Sequence, residues 1–197
     1  MARLEEFDRS KVLHDATLIF WHQGYQATGI KDLELATGLS RSSLYNSFGS
    51  KELLFLEVLN FYVKDILAER FEKCLLLQDP ILAVEKIFIS FFRDPARGRK
   101  GMACLIVNTT TEMAIHNKII HKAIKKTEAW LLENFIFLID KARQAGIVFK
   151  IKDNNVIARH LLIVLNGLLV QSKITQDNKE MTLACEQTLS LFWKELS

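Results

Sequence analysis

The stretch ATGLSRSSLYNSFGSKELLF, residues 36 to 55, decides the fold of this chain. The apolar residues around its start predict a short helix that begins near Ile30 and is closed by Gly38. Ser40 is the type of residue that caps the start of the next helix. Only Thr37 to Leu39 separate the two. Two short helices joined by a three-residue turn that contains glycine indicate a helix-turn-helix.

The second predicted helix of this motif has one apolar face and one polar face. Leu44 and Phe48 are four residues apart and would pack against the preceding helices. The opposite, polar face would carry Ser40, Arg41, Ser42, Ser43, Tyr45 and Asn46. A helix that enters the major groove of DNA needs such a face. A capped helix start that is merely solvated would have the same serines, so the spacing leaves both interpretations open.

The remainder of the chain predicts an all-α protein. Of its 197 residues 49% are hydrophobic and only two are proline, a composition that favours helices around a sizeable core. Apolar residues at three- and four-residue spacing predict about nine helices with short connections. Besides the two helices of the motif, they span residues 10–22, 50–74, 81–92, 102–116, 118–144, 153–173 and 179–196.

Charge and segment composition limit the partners. The net charge is only +3, and residues 1–51 contain six basic and six acidic residues, so contacts to nucleic acid must come from a few placed side chains and from helix N-termini. The N-terminus lacks the apolar segment of a secretory signal. The most continuous apolar run, Leu161 to Val170, has ten residues, whereas a bilayer span needs about 20. Three cysteines without an export signal indicate reduced thiols. We expect a cytoplasmic protein with no membrane partner.

The segment GYQATGIKDLELATGLSRSSLYNSFGSKELLFLEVL, residues 24–59, resembles the DNA-binding segment of the TetR family of bacterial transcriptional repressors. The matching residues, in order and spacing, are Gly24-Tyr25, Thr28, Ala36, Gly38-Leu39-Ser40, Leu44-Tyr45, Phe48 and Ser50-Lys51-Glu52. The resemblance implies a TetR-like all-α fold with an N-terminal helix-turn-helix domain, residues 1–50. Residues 51–197 would form an effector-binding and dimerisation domain. It also implies a homodimer that binds a palindromic double-stranded DNA operator and is released by a small-molecule, electrophile or oxidant signal.

The same resemblance assigns roles to individual residues. It implies that Tyr45 and Lys51 hold phosphates, and that Thr28 caps the second helix near the DNA. Arg41, Ser42 and Asn46 would approach base edges or backbone, and by type arginine could pair with guanine and asparagine with adenine. Three positions depart from the family pattern: the usual small residue at 34 is Glu34, the common glycine at 42 is Ser42, and a frequent histidine or tyrosine is replaced by Asn46. These departures concern the operator sequence more than the fold.

Two long C-terminal helices make the dimer interface in such repressors. The strongest candidates here are residues 122–144 and 154–173. The second is apolar nearly all round from Leu161 to Val170, as expected for a helix covered by its own core on one side and by a partner on the other. A monomer in which this helix is fully internal would give the same pattern.

The stretch RKGMACLIVNTTTEM, residues 99–113, resembles the G-C-L-x-x-N pattern of a subgroup that includes repressors responding to electrophiles and quinones, although Met102 and Ala103 intervene. Cys104 would lie near a helix start behind the cationic residues Arg97, Arg99 and Lys100, with Lys173 as a further cation. A helix N-terminus and nearby cations lower the pKa of a thiol, and the thiolate is the reactive form. The alternative is that Cys104 is a small buried hydrophobe.

A polar face follows Cys104 on the same predicted helix. Asn108, Thr111 and Glu112 share this face at helical spacing, so they could line a cavity that orients a small, largely hydrophobic effector. A solvated surface stripe would look the same. The histidines at 116, 121 and 160 are too scattered for a metal site, and we predict neither a metal nor a cofactor.

Three alternatives to a thiol-sensing repressor remain open. The first is a small-molecule-responsive regulator without thiol chemistry. The second is an enzyme with Cys104 as nucleophile and His116 or His121 as base, but no orienting group or oxyanion donor stands at recognisable spacing, so we predict no enzyme. The third is a helical interaction module with a vestigial DNA-binding segment, which Tyr45 and Lys51 argue against.

Overall fold

The structure is a computed structural model that describes residues 7–93 and 104–196. Within these ranges the chain forms helices connected by short turns. The helices are α1 (Arg9–Gln23), α2 (Ile30–Thr37), α3 (Arg41–Phe48), α4 (Lys51–Phe61, a π-helical turn Tyr62–Leu67, and Ala68–Leu75), α5 (Pro80–Ser90), α6 (Leu105–Met113), α7 (Lys118–Gln144), α8 (Asn154–Thr175) and α9 (Asn178–Leu196). The all-α expectation and the count of nine helices are confirmed for the described residues.

Side-chain caps begin most of these helices where the sequence places a short polar residue. Asp8, Asp79, Asn117 and Asp153 each accept backbone N–H bonds in the first turn of the helix that follows. Pro80 occupies the first position of α5, where its missing N–H costs nothing. Local signals of this kind explain why the predicted bounds agree with the observed ones to within a few residues.

Two helices differ in detail from the expectation. The helix predicted over 102–116 begins at Leu105 and ends at Met113, because the backbone N–H groups of His116 and Asn117 both turn back onto the Met113 carbonyl. The predicted residues 102 and 103 lie outside the described residues. The helix predicted over 50–74 contains a π-helical turn at Tyr62–Leu67, which periodicity does not encode.

The N-terminal part of α4 belongs to the same packing unit as α1 to α3. Helices α1 and α2, α1 and α4, α2 and α3, and α3 and α4 are all in contact. The ring of Phe20 in α1 lies 4.8 Å from that of Phe55 in α4, and Leu33, Leu44 and Phe48 are buried in the same cluster. We call α1 to α3 the reading head. Its core is completed by α4, so a division between residues 50 and 51 cuts through this core.

The remaining helices surround a second part of the core. The C-terminal part of α4 packs on α5, α5 packs on α7 and α9, and α7 packs on α8. Helix α6 rests on α7 and α8. The aromatic rings of Phe71, Phe88, Trp130 and Phe135 meet here at centroid distances of 5.0 to 6.0 Å. This arrangement places α6 between the reading head and the long helices α7 and α8.

Candidate nucleic-acid interface and effector cavity

Helix α3 presents the polar face that its sequence predicts. Leu44 and Phe48 are buried, whereas Arg41, Ser42 and Asn46 are exposed. The hydroxyl of Ser40 accepts the backbone N–H of Ser43 at 3.2 Å and also lies within 3.0 Å of the Ser42 and Ser43 hydroxyls, so it caps the helix. The guanidinium of Arg41 lies over the ring of Tyr45, 5.5 Å from its centroid. The predicted anchors and the predicted polar face are therefore on opposite sides.

Glu34 has a structural role that the sequence did not reveal. Its carboxylate accepts the backbone N–H of Arg41 at 2.7 Å, and so binds one of the free donors at the start of α3. Gly38 between them has a φ of +72° and ends α2, its N–H donating to the Glu34 carbonyl. Glu34 therefore joins α2 to α3 across the turn by a charge-assisted bond. The sequence signal for this bond was a carboxylate placed seven residues before the first residue of α3.

The predicted capping role of Thr28 is wrong. Thr28 is completely buried, and its hydroxyl donates to the Gly24 carbonyl at 2.6 Å, within the α1–α2 connection. The start of α2 is held instead by Asp32, whose carboxylate accepts the Gly29 N–H at 2.7 Å. Thr28 therefore offers no exposed surface to DNA.

Lys51 lies at the first position of α4, beside the α1–α2 connection. Its ammonium is 4.3 Å from the centroid of the Tyr25 ring, a cation–π contact. Partial burial lowers the pKa of Lys51, while Glu112 and Asp32 act in the opposite direction. Burial also raises the pKa of Tyr25. A partly desolvated ammonium at a helix N-terminus is well suited to an incoming phosphate.

Glu112 reaches the reading head instead of a cavity. One carboxylate oxygen accepts the Tyr25 N–H at 3.0 Å and the other accepts the Gln26 N–H at 2.6 Å. The partners are 87 and 86 residues apart in the chain. The prediction that Glu112 shares an effector-facing surface with Asn108 is therefore wrong.

A cavity of about 500 Å³ lies between α6, α7 and α8. Apolar side chains dominate its wall, and Glu128 and Asn166 contribute polar groups. The lining residues are Ile106, Val107, Thr110, Thr111, Ile124, Glu128, Leu131, Leu162, Asn166, Gly167, Val170 and Gln171. Thr111 is the one predicted polar-face residue that lines it. Asn108 does not; it accepts a bond from the Lys173 ammonium at 3.1 Å, so these two residues join α6 to α8.

Cys104 lies outside the cavity wall and is buried. Its sulfur accepts the hydroxyl of Tyr62, in the π-helical turn of α4, at 3.3 Å. Burial raises the pKa of the Cys104 thiol, although the Tyr62 hydroxyl and the backbone N–H groups of Val107 and Ile106 act in the opposite direction. The prediction of a lowered thiol pKa is therefore wrong: the helix N-terminus acts as expected, but desolvation is larger. The predicted cations Arg97, Arg99 and Lys100 lie outside the described residues.

The structure does not bring a catalytic pair or a metal site together within residues 7–93 and 104–196. The polar partner of Cys104 is Tyr62, whereas His121 contacts the Ala114 carbonyl at 3.2 Å. In the same ranges no group of three His, Cys, Asp or Glu residues could hold a metal ion.

Among the helices of the described residues, α8 is long and apolar enough to cross a bilayer by length and composition alone. A core helix of a soluble protein meets the same criterion. Here one side of α8 is buried against α7 and α9, through Ile157, Ala158, Leu161, Leu162, Leu165 and Leu169. Its opposite side is exposed and carries Val156, Ile163, Val170 and Ile174.

Comparisons with known proteins agree with this geometry. A family model described as bacterial regulatory proteins, tetR family, matches residues 12–58, which cover the reading head and the start of α4. The HTH-type transcriptional regulator YezE of Bacillus subtilis is 28% identical over 195 residues, 97% of this chain and 99% of the relative. The HTH-type transcriptional repressor ComR of Escherichia coli is 27% identical over 198 residues, 98% of this chain and 92% of the relative.

A solved structure supports the fold. It contains the TetR family regulator CifR, in a variant with three substituted cysteines, in complex with a 26-base-pair double-stranded operator. That chain is 24% identical to this one, with a TM-score of 0.81 over 96% of this chain and 98% of its own. At this level of identity the likeness concerns the arrangement of helices.

Proposed function

We propose, on the premise that this chain belongs to the TetR family of bacterial regulatory proteins, that it is a homodimeric repressor released from a palindromic operator by a small effector. Members of this family are transcriptional regulators and not enzymes. Its two reading heads would each enter a major groove through α3, and a soluble, cytoplasmic location follows from this role. The exposed polar start of α3, opposite buried Leu44 and Phe48, is the observation that carries the proposal.

The contacts to DNA fall into two groups. Arg41, Ser42 and Asn46 are exposed at the N-terminal part of α3, the part of a recognition helix that reaches base edges. Ser40 and Ser43 border them and would bind the backbone. Tyr45 and Lys51 would hold phosphates, and Lys51 would recover part of its desolvation cost by pairing with an anion. Thr28 is not part of this surface, since it is buried.

A second copy of the chain would cover the exposed side of α8. Val156, Ile163 and Val170 follow each other at seven-residue spacing, and Ile174 continues the same stripe. Val170 also lines the cavity, so the stripe extends to the cavity wall. On α9, which packs beside α8, Leu183 and Leu191 are 54% and 64% exposed. Within residues 122–144 of α7, Phe137 is the large apolar residue whose side chain is exposed to a similar degree. These faces favour an interface of α8 with α9 over the predicted pair of α7 with α8.

The effector would occupy the cavity between α6, α7 and α8. About 500 Å³ is within the range of small-molecule sites, and the mostly apolar wall suits a hydrophobic compound. Thr110, Thr111, Asn166 and Gln171 offer hydrogen-bonding groups that could orient it. Thiol chemistry is not part of this proposal, because Cys104 is buried outside the cavity wall with a raised pKa. The regulator without thiol chemistry is the better supported alternative.

Selection of bound duplexes from random DNA tests the proposal. We expect the wild-type protein to enrich a palindrome, and Tyr45→Ala to lose it while remaining a dimer in sedimentation. Lys51→Ala should weaken binding to all sequences and reduce the slope of log K against log salt by about 1.8, because each of the two protomers loses one phosphate contact. Glu133→Gln, an exposed residue on α7 remote from the reading head in sequence, is the matched control. Enrichment of no sequence by the wild-type dimer would overturn the proposal.

A further inference from the structure

Glu112 holds the connection between α1 and α2 with both oxygens of its carboxylate. Bonds of 3.0 Å and 2.6 Å from the Tyr25 and Gln26 N–H groups form a two-pronged contact. These two groups directly follow Gly24, which ends α1 and donates to the Phe20 carbonyl. The carboxylate therefore binds two backbone donors of the connection that follows α1, and it does so from a helix outside the reading head. We call this contact the Glu112 clamp.

The backbone next to the clamp has room for a carboxylate in close contact because residue 24 is glycine. A Cβ built on Gly24 would lie 3.0 Å and 3.3 Å from the two Glu112 oxygens, so a larger residue there would require the carboxylate to shift from its position in the clamp. The ring of Tyr25 lies between the clamp and the ammonium of Lys51, 4.3 Å from the latter. The same short connection thus touches Glu112 on one side and a proposed phosphate-binding residue on the other.

Helix α6 connects the clamp to the cavity. Four of its nine residues, Ile106, Val107, Thr110 and Thr111, form a wall of the cavity. Glu112 is the next residue, but it faces the reading head. Because Glu112 and the cavity-lining residues belong to one helix of only about two and a half turns, a displacement of α6 as a whole also moves the Glu112 carboxylate.

We propose that Glu112 is a positioning residue through which occupancy of the cavity controls the reading head. With the cavity empty, the clamp holds the α1–α2 connection, and with it α2, α3 and Lys51, in the orientation that binds the operator. An effector that displaces α6 within this arrangement changes the position of the carboxylate relative to the Tyr25 and Gln26 amides, breaks the clamp and releases the head. The two states differ in contacts to both the effector and the backbone amides, which is what coupling between distant sites requires.

This inference rests on the proposed function, but its first test needs neither operator nor effector. Amide exchange at Tyr25 and Gln26, followed residue by residue by NMR, reports the clamp directly. We expect slow exchange in the wild type and exchange faster by about tenfold or more in Glu112→Gln, since a hydrogen bond to a charged acceptor is worth at least that factor. Glu133→Gln should leave both amides unchanged, and unchanged exchange in Glu112→Gln would overturn the inference.

Thr110→Phe serves as a built-in substitute for an effector, because position 110 lines the cavity and a phenyl ring there would occupy part of it. We expect it to accelerate exchange at Tyr25 and Gln26 by about tenfold in the wild-type background. In the Glu112→Gln background it should add no more than about twofold, since the clamp is already lost. Thr110→Val, which keeps the volume, is the control. Equal acceleration in both backgrounds would show that the cavity acts on the head by another route.

Binding to the operator that the wild type selects from random DNA is the second readout. Thr110→Phe should weaken binding by about tenfold in the wild-type background, within the usual range of coupling between sites. In Glu112→Gln the same change should cost less than about threefold. Failure of the wild type to select any operator would count against the proposed function, whereas an operator that Thr110→Phe weakens equally in both backgrounds would refute the clamp alone. A Glu112→Gln protein that remains folded by circular dichroism and keeps the oligomeric state of Glu133→Gln in sedimentation at the assay temperature would exclude a merely structural loss.

Discussion

Substitution of Gly24 by alanine should reveal how firmly the Glu112 carboxylate is bound. Gly24 has φ +83° and ψ 170°, a region that essentially only glycine adopts, and the backbone strain on alanine costs about 1 to 3 kcal/mol. The added Cβ would lie 3.0 Å from a Glu112 oxygen. A carboxylate is the mobile end of a flexible side chain and can move aside, so the overlap itself costs little. The cost of moving it is the loss of its bonds to the Tyr25 and Gln26 amides.

That loss sets the magnitude of the prediction. Hydrogen bonds to a charged group contribute about 1.5 to 3 kcal/mol each, and because this pair is partly solvated we take about 2 kcal/mol for both. Gly24→Ala should therefore reduce the free energy of unfolding by about 3 to 5 kcal/mol in the wild type, and by about 1 to 3 kcal/mol in Glu112→Ala, where only the strain remains.

Urea unfolding of the four proteins in this double-mutant cycle measures the difference. Unfolding is followed by circular dichroism at one fixed protomer concentration, since the stability of a protein that dimerises depends on its concentration. The expected coupling between positions 24 and 112 is about 2 kcal/mol. Costs of Gly24→Ala that agree within about 0.5 kcal/mol in the two backgrounds would refute the reasoning, because the carboxylate would then contribute nothing that the alanine removes.

Two further predictions concern the proposed dimer and the buried thiol of Cys185. Ile163→Asp places a charge on the exposed stripe of α8 and should convert the proposed dimer to monomers at micromolar concentration in analytical ultracentrifugation, whereas Phe137→Asp on α7 should not. The reverse result would favour the pairing of α7 with α8. Burial raises the pKa of Cys185 to about 12, above the unfolded thiol value of about 8.5, so this thiol stabilises the fold fully below that value and the stabilisation is lost as pH rises toward 12. The free energy of unfolding should fall from about pH 8.5 upward less steeply in Cys185→Ala, and equal slopes in the two proteins would contradict this.

Much of the reading head could be predicted because its signals are local. Leu44 and Phe48 are one helical turn apart, so their common burial follows from the period of the α-helix. Gly38 has a positive φ at the end of α2, and Ser40 caps α3 with its own hydroxyl. Each of these roles depends on neighbours within four residues, and such neighbours are adjacent in the sequence as well as in space.

The C-terminal helices were predicted less well, because the roles of their residues depend on surroundings that periodicity does not contain. The cysteine at the start of α6 has the helix N-terminus that was expected, yet the burial of Cys104 under Tyr62 reverses the direction of its pKa shift. By their spacing in the sequence, the polar residues of α6 should share one face of the helix. In the fold Asn108 meets Lys173, Thr111 lines the cavity and Glu112 meets the reading head.

The sequence by itself thus determined the helices, their caps, the helix-turn-helix and the polar face of α3, since hydrogen bonds and side-chain contacts within one or two turns suffice to specify them. Only the tertiary structure decided that Thr28 is buried, that the cavity lies between α6, α7 and α8, and that Glu112 binds amides 86 and 87 residues earlier in the chain. The physical reason is that the approach of two distant segments depends on how whole helices pack, and a periodic pattern states which face is buried but not which residue it will meet.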